Sequence, residues 1–275
     1  MDNKITALLA VTILCVAGAC GFALKSASAD TEPESDTLYQ VSLLQDLMFG
    51  DYTGSITVGE LKKHGSVGIG TFDGLNGELI MLNGVVYRAA VNEADGSCSV
   101  TVVEDSETVP FANTANMKTD FSATELTADS MDAMKVLLTN NTNEHGANSM
   151  YFAVIHATFD SLTVRSELAQ SEPYKPLVKV LEFDQREWTR DDVTGTIVAL
   201  YCPTYLDKVN TPGWHLHFIS DDRSFGGHVL DLSVSGAKAD FNKLANFVMV
   251  TPDTERFQGF DFSTDQSEDI EQVEG

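Results

Sequence analysis

The sequence predicts an α+β protein with two lobes, each formed by a mixed or antiparallel β-sheet and a few helices. Two observations predict this class. Short apolar segments with a period of two are separated by hairpin-turn pairs such as Asp73-Gly74 and Asn83-Gly84, and only a few stretches keep helical spacing. A boundary within 145–175 would divide an N-terminal lobe, 38–150, from a C-terminal lobe, 151–275.

The N-terminal half begins with a predicted helix over 38–48, where apolar residues fall at helical spacing and Gly50 follows. A capping-box pattern from Thr57 to Glu60 starts a second short helix, which Gly65 ends. The period then changes to two and predicts an antiparallel meander with strands over 66–72, 77–82, 85–91 and 98–104.

Helical spacing returns over 127–139, and 140–148 is interpreted as a polar loop. A strand over 151–168 follows, and 171–176 must be a loop because its two prolines do not fit a paired strand. The remaining elements are predicted as strands near 194–202, 214–220 and 227–234, a helix over 240–246 and a strand over 247–250. The tail, 265–275, carries five carboxylates and no basic residue.

The charge balance excludes several classes of function. The 275 residues include 17 basic and 41 acidic ones, for a net charge of −24, and 43% of the chain is hydrophobic. Such a charge repels phosphate backbones and anionic membrane surfaces, so we expect no binding to nucleic acid. The four cysteines form no Cys-x-x-Cys pair, so any metal must be held by histidines and carboxylates.

The first 29 residues are typical of an export signal. Lys4 precedes an apolar run over 5–24, and Ala27-Ser28-Ala29 offers a cleavage site. A loose lipobox ending at Cys20, or an uncleaved membrane anchor, are the alternatives. We therefore expect an exported protein, secreted or held at the cell surface, with a flexible spacer over 30–37. Its remaining cysteines, Cys98 and Cys202, either pair or stay free.

The strongest chemical signal is the segment from Trp214 to His228, which holds three of the six histidines. Side chains two apart on a strand share a face, so His215 and His217 point the same way. A turn over 221–227 would return His228 beside them on the next strand. Three neutral imidazoles suit Zn, Cu, Fe or Ni and leave coordination positions open, as in catalytic zinc sites.

Two alternatives compete for these histidines. A His-x-His pair also occurs by chance on solvated strands. A cupin-type iron or manganese site begins with the same pair, and Asp221 or Asp222 would then supply its carboxylate. The close return of His228 argues against the cupin arrangement.

A second signal is Glu78, which opens a short strand between two glycine turns and lies beside an apolar run. Such a carboxylate is by itself typical of a solvated sheet edge. Ser220 and Ser224 near the histidines would suggest a hydrolase, but the chain has no Gly-x-Ser-x-Gly elbow. His64, His145 and His156 are interpreted as structural.

Four segments together resemble the α-acetolactate decarboxylase family. They are Gly-Thr-Phe-Asp-Gly-Leu-Asn-Gly-Glu-Leu (70–79), Thr-Gly-Thr-Ile-Val-Ala (194–199), the Trp-His-Leu-His stretch and Gly-Gly-His-Val-Leu-Asp (226–231). The resemblance runs from about Leu38 to the C-terminus. It implies a zinc enzyme that converts 2-acetolactate to (R)-acetoin and CO2, and a homodimer of two-lobed α+β subunits.

The resemblance also implies roles for individual residues. It makes His215, His217 and His228 the zinc ligands. Glu78 becomes an active-site carboxylate with Thr71 lining the pocket. Arg165 takes the place of the family's active-site arginine, although a salt bridge to Glu167 or Glu182 is the structural alternative. The tail supplies a second carboxylate, Glu274, or Glu271 if the tail is shifted.

The chemistry accounts for these residue types. Loss of CO2 from a β-keto acid leaves an enediolate, whose charge a Lewis-acid metal stabilises without an organic cofactor. An active-site Glu then protonates one face, with Glu274 preferred over Glu78. A non-catalytic exported metal-binding protein is the rival from another class, and a cupin-like oxygenase is the second enzyme alternative.

Overall fold

The segments of period two form two large β-sheets in the structure, a computed structural model that describes residues 36–274. Within this range, the structure does not describe four side chains, those of Ser267, Glu271, Gln272 and Glu274. The strands are β1 Thr37–Val41, β2 Ile56–Thr57, β3 Val67–Thr71, β4 Glu78–Leu82, β5 Val85–Val91, β6 Cys98–Val102, β7 Thr108–Val109, β8 Ala112–Ala115, β9 Phe121–Ala128, β10 Met150–Glu167, β11 Gln185–Cys202, β12 Gly213–Ser220, β13 Gly226–Leu244 and β14 Asn246–Val250. The helices are α1 Leu44–Phe49, α2 Val58–Leu61, α3 Met131–Gly146, α4 Leu177–Asp184, α5 Glu255–Gly259 and α6 Ser267–Glu274.

The first sheet has seven strands in the order β14-β1-β8-β3-β4-β5-β6. Its antiparallel part β3-β4-β5-β6 confirms the predicted meander, and α2 confirms the capping-box helix. The predicted helix over 38–48 is wrong in its first half, because Leu38 to Val41 belong to β1. These residues are buried and pair with strands on both sides, and Ser42 at φ 60° turns the chain before α1 begins.

The second sheet has the strand order β10-β11-β12-β13-β9, and β10 also pairs with β13. Strands β10 to β13 therefore form a closed ring of paired strands. Two predictions in this region are wrong. The expected helix over 240–246 is mostly strand, because β13 stays paired with β10 and β9 as far as Asp240 and Phe241 and with β10 as far as Leu244. The expected loop over 140–148 is largely helical, because α3 extends to Gly146.

The two sheets do not divide the chain at 145–175. β9, expected in the N-terminal lobe, is a strand of the second sheet, and α3 packs against it. β14 crosses back to pair with β1 of the first sheet. The sheets also share one apolar core, to which Leu38 and Ile80 contribute from the first and Phe152, Leu200 and Ile219 from the second. The described residues thus belong to one compact unit that contains both sheets.

The predicted signal peptide or anchor, 1–29, lies outside the described residues, as does most of the predicted spacer. Thr37, its last residue, already begins β1. In the part of the chain from 36 to 274, no helix has the length and apolar character needed to cross a membrane. Cys98 and Cys202 are both free thiols, on β6 and β11.

Candidate metal centre

Three buried histidines from neighbouring strands converge on one point. His217 on β12 lies directly opposite His228 on β13, and His215 lies two residues before His217 on the same face. The Nε2 atom of His215 is 3.0 Å from His217 Nε2 and 3.1 Å from His228 Nδ1. The ligand atoms of all three lie within 4.8 Å of one another. The His-x-His pair therefore faces a buried point and not solvent.

Hydrogen bonding and burial prepare these nitrogens for a metal. His217 Nδ1 is 2.9 Å from the carbonyl oxygen of Leu79, and since a carbonyl only accepts, Nδ1 carries the hydrogen and Nε2 presents its lone pair. Burial lowers the pKa of all three rings, to about 3 for His215, and the cationic Arg165 lowers them further. At neutral pH the rings are uncharged, which is the form that binds metal.

A carboxylate stands beside the three rings. Glu78, the first residue of β4, is only 7% exposed, and its Oε2 lies 3.4 Å from His217 Nε2. This burial excludes the interpretation of Glu78 as a solvated edge residue. Three neutral imidazoles with a nearby carboxylate suit a divalent transition metal such as zinc, and three protein nitrogens leave coordination positions open for substrate. The residues present therefore fit the metal that the family resemblance implies.

Thr71 and Arg165 reach the same site from other strands. Thr71 on β3 lies opposite Glu78, and its hydroxyl donates to the carbonyl oxygen of Gly77 at 2.9 Å. Arg165 on β10 lies opposite His228 and is 4% exposed. Its Nη1 is 3.6 Å from Glu167 Oε1, so the ion pair considered from the sequence exists as a long contact.

Glycine allows β13 to approach β10 closely at this point. Gly227 has φ +149°, and a Cβ atom there would lie 2.4 Å from the carbonyl oxygen of Arg165. That separation is far below van der Waals contact. The absence of a side chain at Gly227 therefore lets Arg165 and His228 lie side by side.

The acidic tail forms a helix over the site, which the sequence analysis did not predict. In α6, Ile270 and Val273 are buried in a cluster with residues of α1 and α4. The carbonyl oxygen of Val273 accepts a hydrogen bond from Arg165 Nη2 at 2.8 Å. The predicted carboxylates Glu274 and Glu271 belong to this helix, but their side chains lie outside the described residues. The i, i+3 spacing of Ile270 and Val273 was the available signal for the helix.

The convergent polar groups open on a narrow pocket with about 400 Å³ of space, part of it open to solvent. Its polar wall consists of Thr71, Glu78, Arg165, Glu167 and the three histidines. Its apolar wall includes Leu44, Leu47, Leu75, Phe111, Leu177 and Leu181. A small ligand rich in oxygen atoms fits such a wall, because Arg165 and a metal site face it beside the carboxylates of Glu78 and Glu167, within an apolar enclosure.

The alternative roles weighed from the sequence lose their support. Asp221 pairs with the exposed His156 at 3.2 Å, and Asp222 accepts hydrogen bonds from Ser220 and Ser224 in the turn between β12 and β13. Neither aspartate joins the group of three histidines. The carboxylate that a cupin arrangement would take from just after the His-x-His pair is therefore not at the site, and the carboxylate found there is Glu78 from β4.

The remaining histidines lie in other surroundings. His64 stacks on Tyr39 with ring centroids 3.7 Å apart, and His145 stacks on Phe121 at 3.6 Å. Both rings serve packing, in agreement with the structural interpretation.

Known proteins resemble the chain over most of its length. A family model described as alpha-acetolactate decarboxylase matches residues 38–264. The alpha-acetolactate decarboxylase of Methanosarcina mazei is 36% identical over 240 residues, covering 87% of this chain and 81% of that protein. The enzyme of the same name from Bacillus licheniformis is 32% identical, covering 87% and 92%.

A crystal structure of alpha-acetolactate decarboxylase from Bacillus subtilis strain 168 superimposes with a TM-score of 0.81. It is 30% identical to this chain, covering 87% of this chain and 99% of that one. The mixed α+β fold, mostly sheet with few helices, is thus shared with that structure.

Proposed function

The chain belongs to the alpha-acetolactate decarboxylase family and is a carboxy-lyase, and from this premise we propose that it converts 2-acetolactate to (R)-acetoin and CO2 with a zinc ion. The observation that carries the proposal is the buried group of His215, His217 and His228 in the wall of a pocket that also holds Arg165 and Glu78. When bound there, the zinc would supply a Lewis acid that stabilises negative charge developing on the substrate's ketone oxygen.

Arg165 would bind the substrate's carboxylate. Its guanidinium is buried in the pocket wall, and its Nε has no hydrogen-bond partner among the described residues. A planar guanidinium can donate two parallel hydrogen bonds to one carboxylate, which a lysine cannot. Holding the carboxylate fixes the orientation of the carbon–carbon bond that breaks. The leucines around the pocket exclude water from this bond.

A carboxylic acid must then deliver a proton to one face. Loss of CO2 leaves an electron pair that enters the neighbouring ketone and gives an enediolate, whose carbon takes a proton to form acetoin. A single enantiomer requires a positioned acid. We assign this role to Glu274 on α6, with Glu78 as the alternative, because Arg165 bonds to the backbone of Val273 next to Glu274.

The first experiment is acetoin production from racemic 2-acetolactate by the purified chain, before and after chelation and with zinc added back. We expect turnover that is lost with the chelator and restored by zinc. Absence of acetoin from folded, zinc-loaded protein would refute the proposal. Iron content with oxygen consumption would instead support an oxygenase.

Paired variants separate the proton donor from the other carboxylate. Glu274→Gln and Glu78→Gln are compared with Glu104→Gln, an exposed glutamate in the loop after β6. If Glu274 is the donor, its variant loses about 100-fold or more in turnover, the usual contribution of general acid catalysis, and yields racemic acetoin. Chiral gas chromatography of the product measures this. Wild-type enantiomeric purity in Glu274→Gln and a racemic product in Glu78→Gln would exchange the two assignments.

The rival from another class is tested by the same set. A protein that only binds zinc has no need of a cation that binds substrate, so Arg165→Ala and Glu274→Gln would make no difference in the acetoin assay. We expect acetoin production to fall instead.

We also propose that residues 1–29 direct export and that the protein acts as a homodimer. Export of a reporter fused to 1–29, followed by sequencing of its N-terminus, distinguishes cleavage from lipidation or anchoring. Light scattering of the 30–275 chain measures the oligomer, and a monomeric mass at working concentration would contradict the dimer.

A further inference from the structure

We propose that Gln185 is a positioning residue, which holds the guanidinium of Arg165 in the pocket wall without neutralising its charge. The inference rests on the proposed function, since it assumes that Arg165 binds an anionic substrate. Gln185 is the first residue of β11 and was not singled out from the sequence.

The sheet register places Gln185 in a group of four polar residues. Arg165 lies opposite Glu187, and Glu167 lies opposite Gln185, on the antiparallel strands β10 and β11. Residues two apart share a face of a sheet, and so do residues directly opposite each other. One guanidinium, one amide and two carboxylates therefore share one face.

The hydrogen bonds show how this group is arranged. Gln185 Nε2 donates to Glu187 Oε1 at 2.6 Å, which turns the amide oxygen toward Arg165. That oxygen accepts from Arg165 Nη1 at 3.2 Å. Arg165 Nη2 donates to the carbonyl oxygen of Val273 at 2.8 Å. The guanidinium is thus oriented from two sides by neutral acceptors.

The nearby carboxylates do not make equally close contact. The separation of 3.6 Å between Arg165 Nη1 and Glu167 Oε1 exceeds a good hydrogen bond. Glu187 is occupied by the amide of Gln185 and is exposed to solvent. Since a second and closer carboxylate would satisfy the guanidinium further before substrate arrives, a neutral acceptor in this position preserves more of its attraction for an anion.

A second pocket explains why the amide is needed. Arg165 also lines a second space of about 620 Å³, part of it open to solvent, together with Gln185, Glu182, Glu187 and Val273. Arg165 and Val273 line the first pocket as well, so they separate the two spaces. Two carboxylates line the second space, and both attract a guanidinium. Gln185 gives Arg165 Nη1 a neutral acceptor and engages Glu187 at the same time, so this carboxylate does not compete for the guanidinium.

The test uses two substitutions in the chain from 30 to 275, with acetoin production from 2-acetolactate as the assay. Gln185→Glu keeps the shape and offers Arg165 a competing carboxylate. Gln185→Ala removes the bond and frees Glu187. The matched control is Arg186→Gln, which changes the net charge by the same amount as Gln185→Glu, at an exposed position on the opposite face of β11.

We expect KM to rise about tenfold to a hundredfold in both Gln185 variants, the range for one hydrogen bond to a charged group, while kcat falls less. The control stays within about twofold. Gln185→Ala combined with Glu187→Gln should recover part of the affinity, because the carboxylate of Glu187 then no longer competes for Arg165. A purely structural role would not produce this rescue.

Melting temperature and zinc content are measured for each variant to confirm folding. Wild-type KM in folded Gln185→Glu would overturn the inference and leave the proposed function intact. A wild-type chain that makes no acetoin would overturn both, because Arg165 would then have no substrate to bind. If Gln185→Glu fails to fold, the kinetics of Gln185→Ala, with and without Glu187→Gln, decide the matter.

Discussion

Replacing Asp46 with asparagine should stabilise the protein above neutral pH and leave it unchanged in acid. Asp46 lies on α1, beside pocket residues Leu44 and Leu47, and is 2% exposed. Ser42 donates a hydrogen bond to its Oδ2 at 2.6 Å, while Oδ1 has no partner among the described residues. Burial raises the pKa of Asp46 to about 7, and the nearby carboxylate of Asp51 adds to the rise.

The sign and the size of this stability change follow from the linkage between protonation and folding. An aspartate titrates near 3.8 when unfolded, so between pH 4 and 7 the folded state binds more protons than the unfolded state. The free energy of unfolding therefore falls as the pH rises through this window. The difference between 3.8 and about 7 corresponds to about 4 kcal/mol at ~1.4 kcal/mol per pKa unit. The surroundings of a buried charge relax, so we expect about 2–4 kcal/mol.

Asparagine resembles the protonated acid and does not titrate, so Asp46→Asn should avoid this loss. Urea unfolding of zinc-loaded wild type and variant at pH 4.5 and pH 8 measures the difference. We expect about equal stability at pH 4.5 and a gain of about 2–4 kcal/mol for the variant at pH 8. Asp191→Asn, at an exposed position of β11, is the control. The same stability difference between variant and wild type at both pH values would refute the reasoning, because the effect would then not depend on ionisation of Asp46.

Three further predictions concern packing and thiols. Gly227→Ala should lower the free energy of unfolding by about 1–3 kcal/mol and the acetoin-forming activity about 100-fold, because the added Cβ would push β13 away from Arg165. Gly259→Ala is the control for both assays, since a Cβ there would have no neighbour within 4 Å. Ile219→Ala should lower the urea-derived stability by about 2–5 kcal/mol, since Ile219 is fully buried between the sheets. Iodoacetamide at pH 8 should modify Cys98 and Cys202 appreciably only after unfolding, because burial raises the pKa of both thiols. A mass 2 Da lower by spectrometry would instead reveal a disulfide.

Local sequence patterns were sufficient to predict an element wherever one of its faces meets solvent, or wherever characteristic turn or capping residues mark its end. The meander from β3 to β6 followed from alternation and from glycine turns, and α2 followed from its cap at Thr57. The pairing of His215 with His217 followed from the period of a strand, and the short turn before His228 suggested the third ring. These inferences depend on neighbours within about 15 residues, so the sequence by itself determined them.

Elements buried on both sides could not be assigned in this way. β1 and the end of β13 contain apolar residues at spacings that suit a helix, but each pairs with strands distant in the chain. Periodicity describes which face of an element is buried, and it loses its meaning when both faces are buried. Only the tertiary structure therefore decided that these segments are strands.

The same limit applies to the site. The sequence supplied the three histidines and, through the family resemblance, Glu78, Thr71 and Arg165. It did not supply the contact of Arg165 with Gln185 and Val273, which lie 20 and 108 positions along the chain from it. Hydrogen bonds at such separations depend on sheet closure and on the packing of α6, so the tertiary structure alone determined how the guanidinium is held.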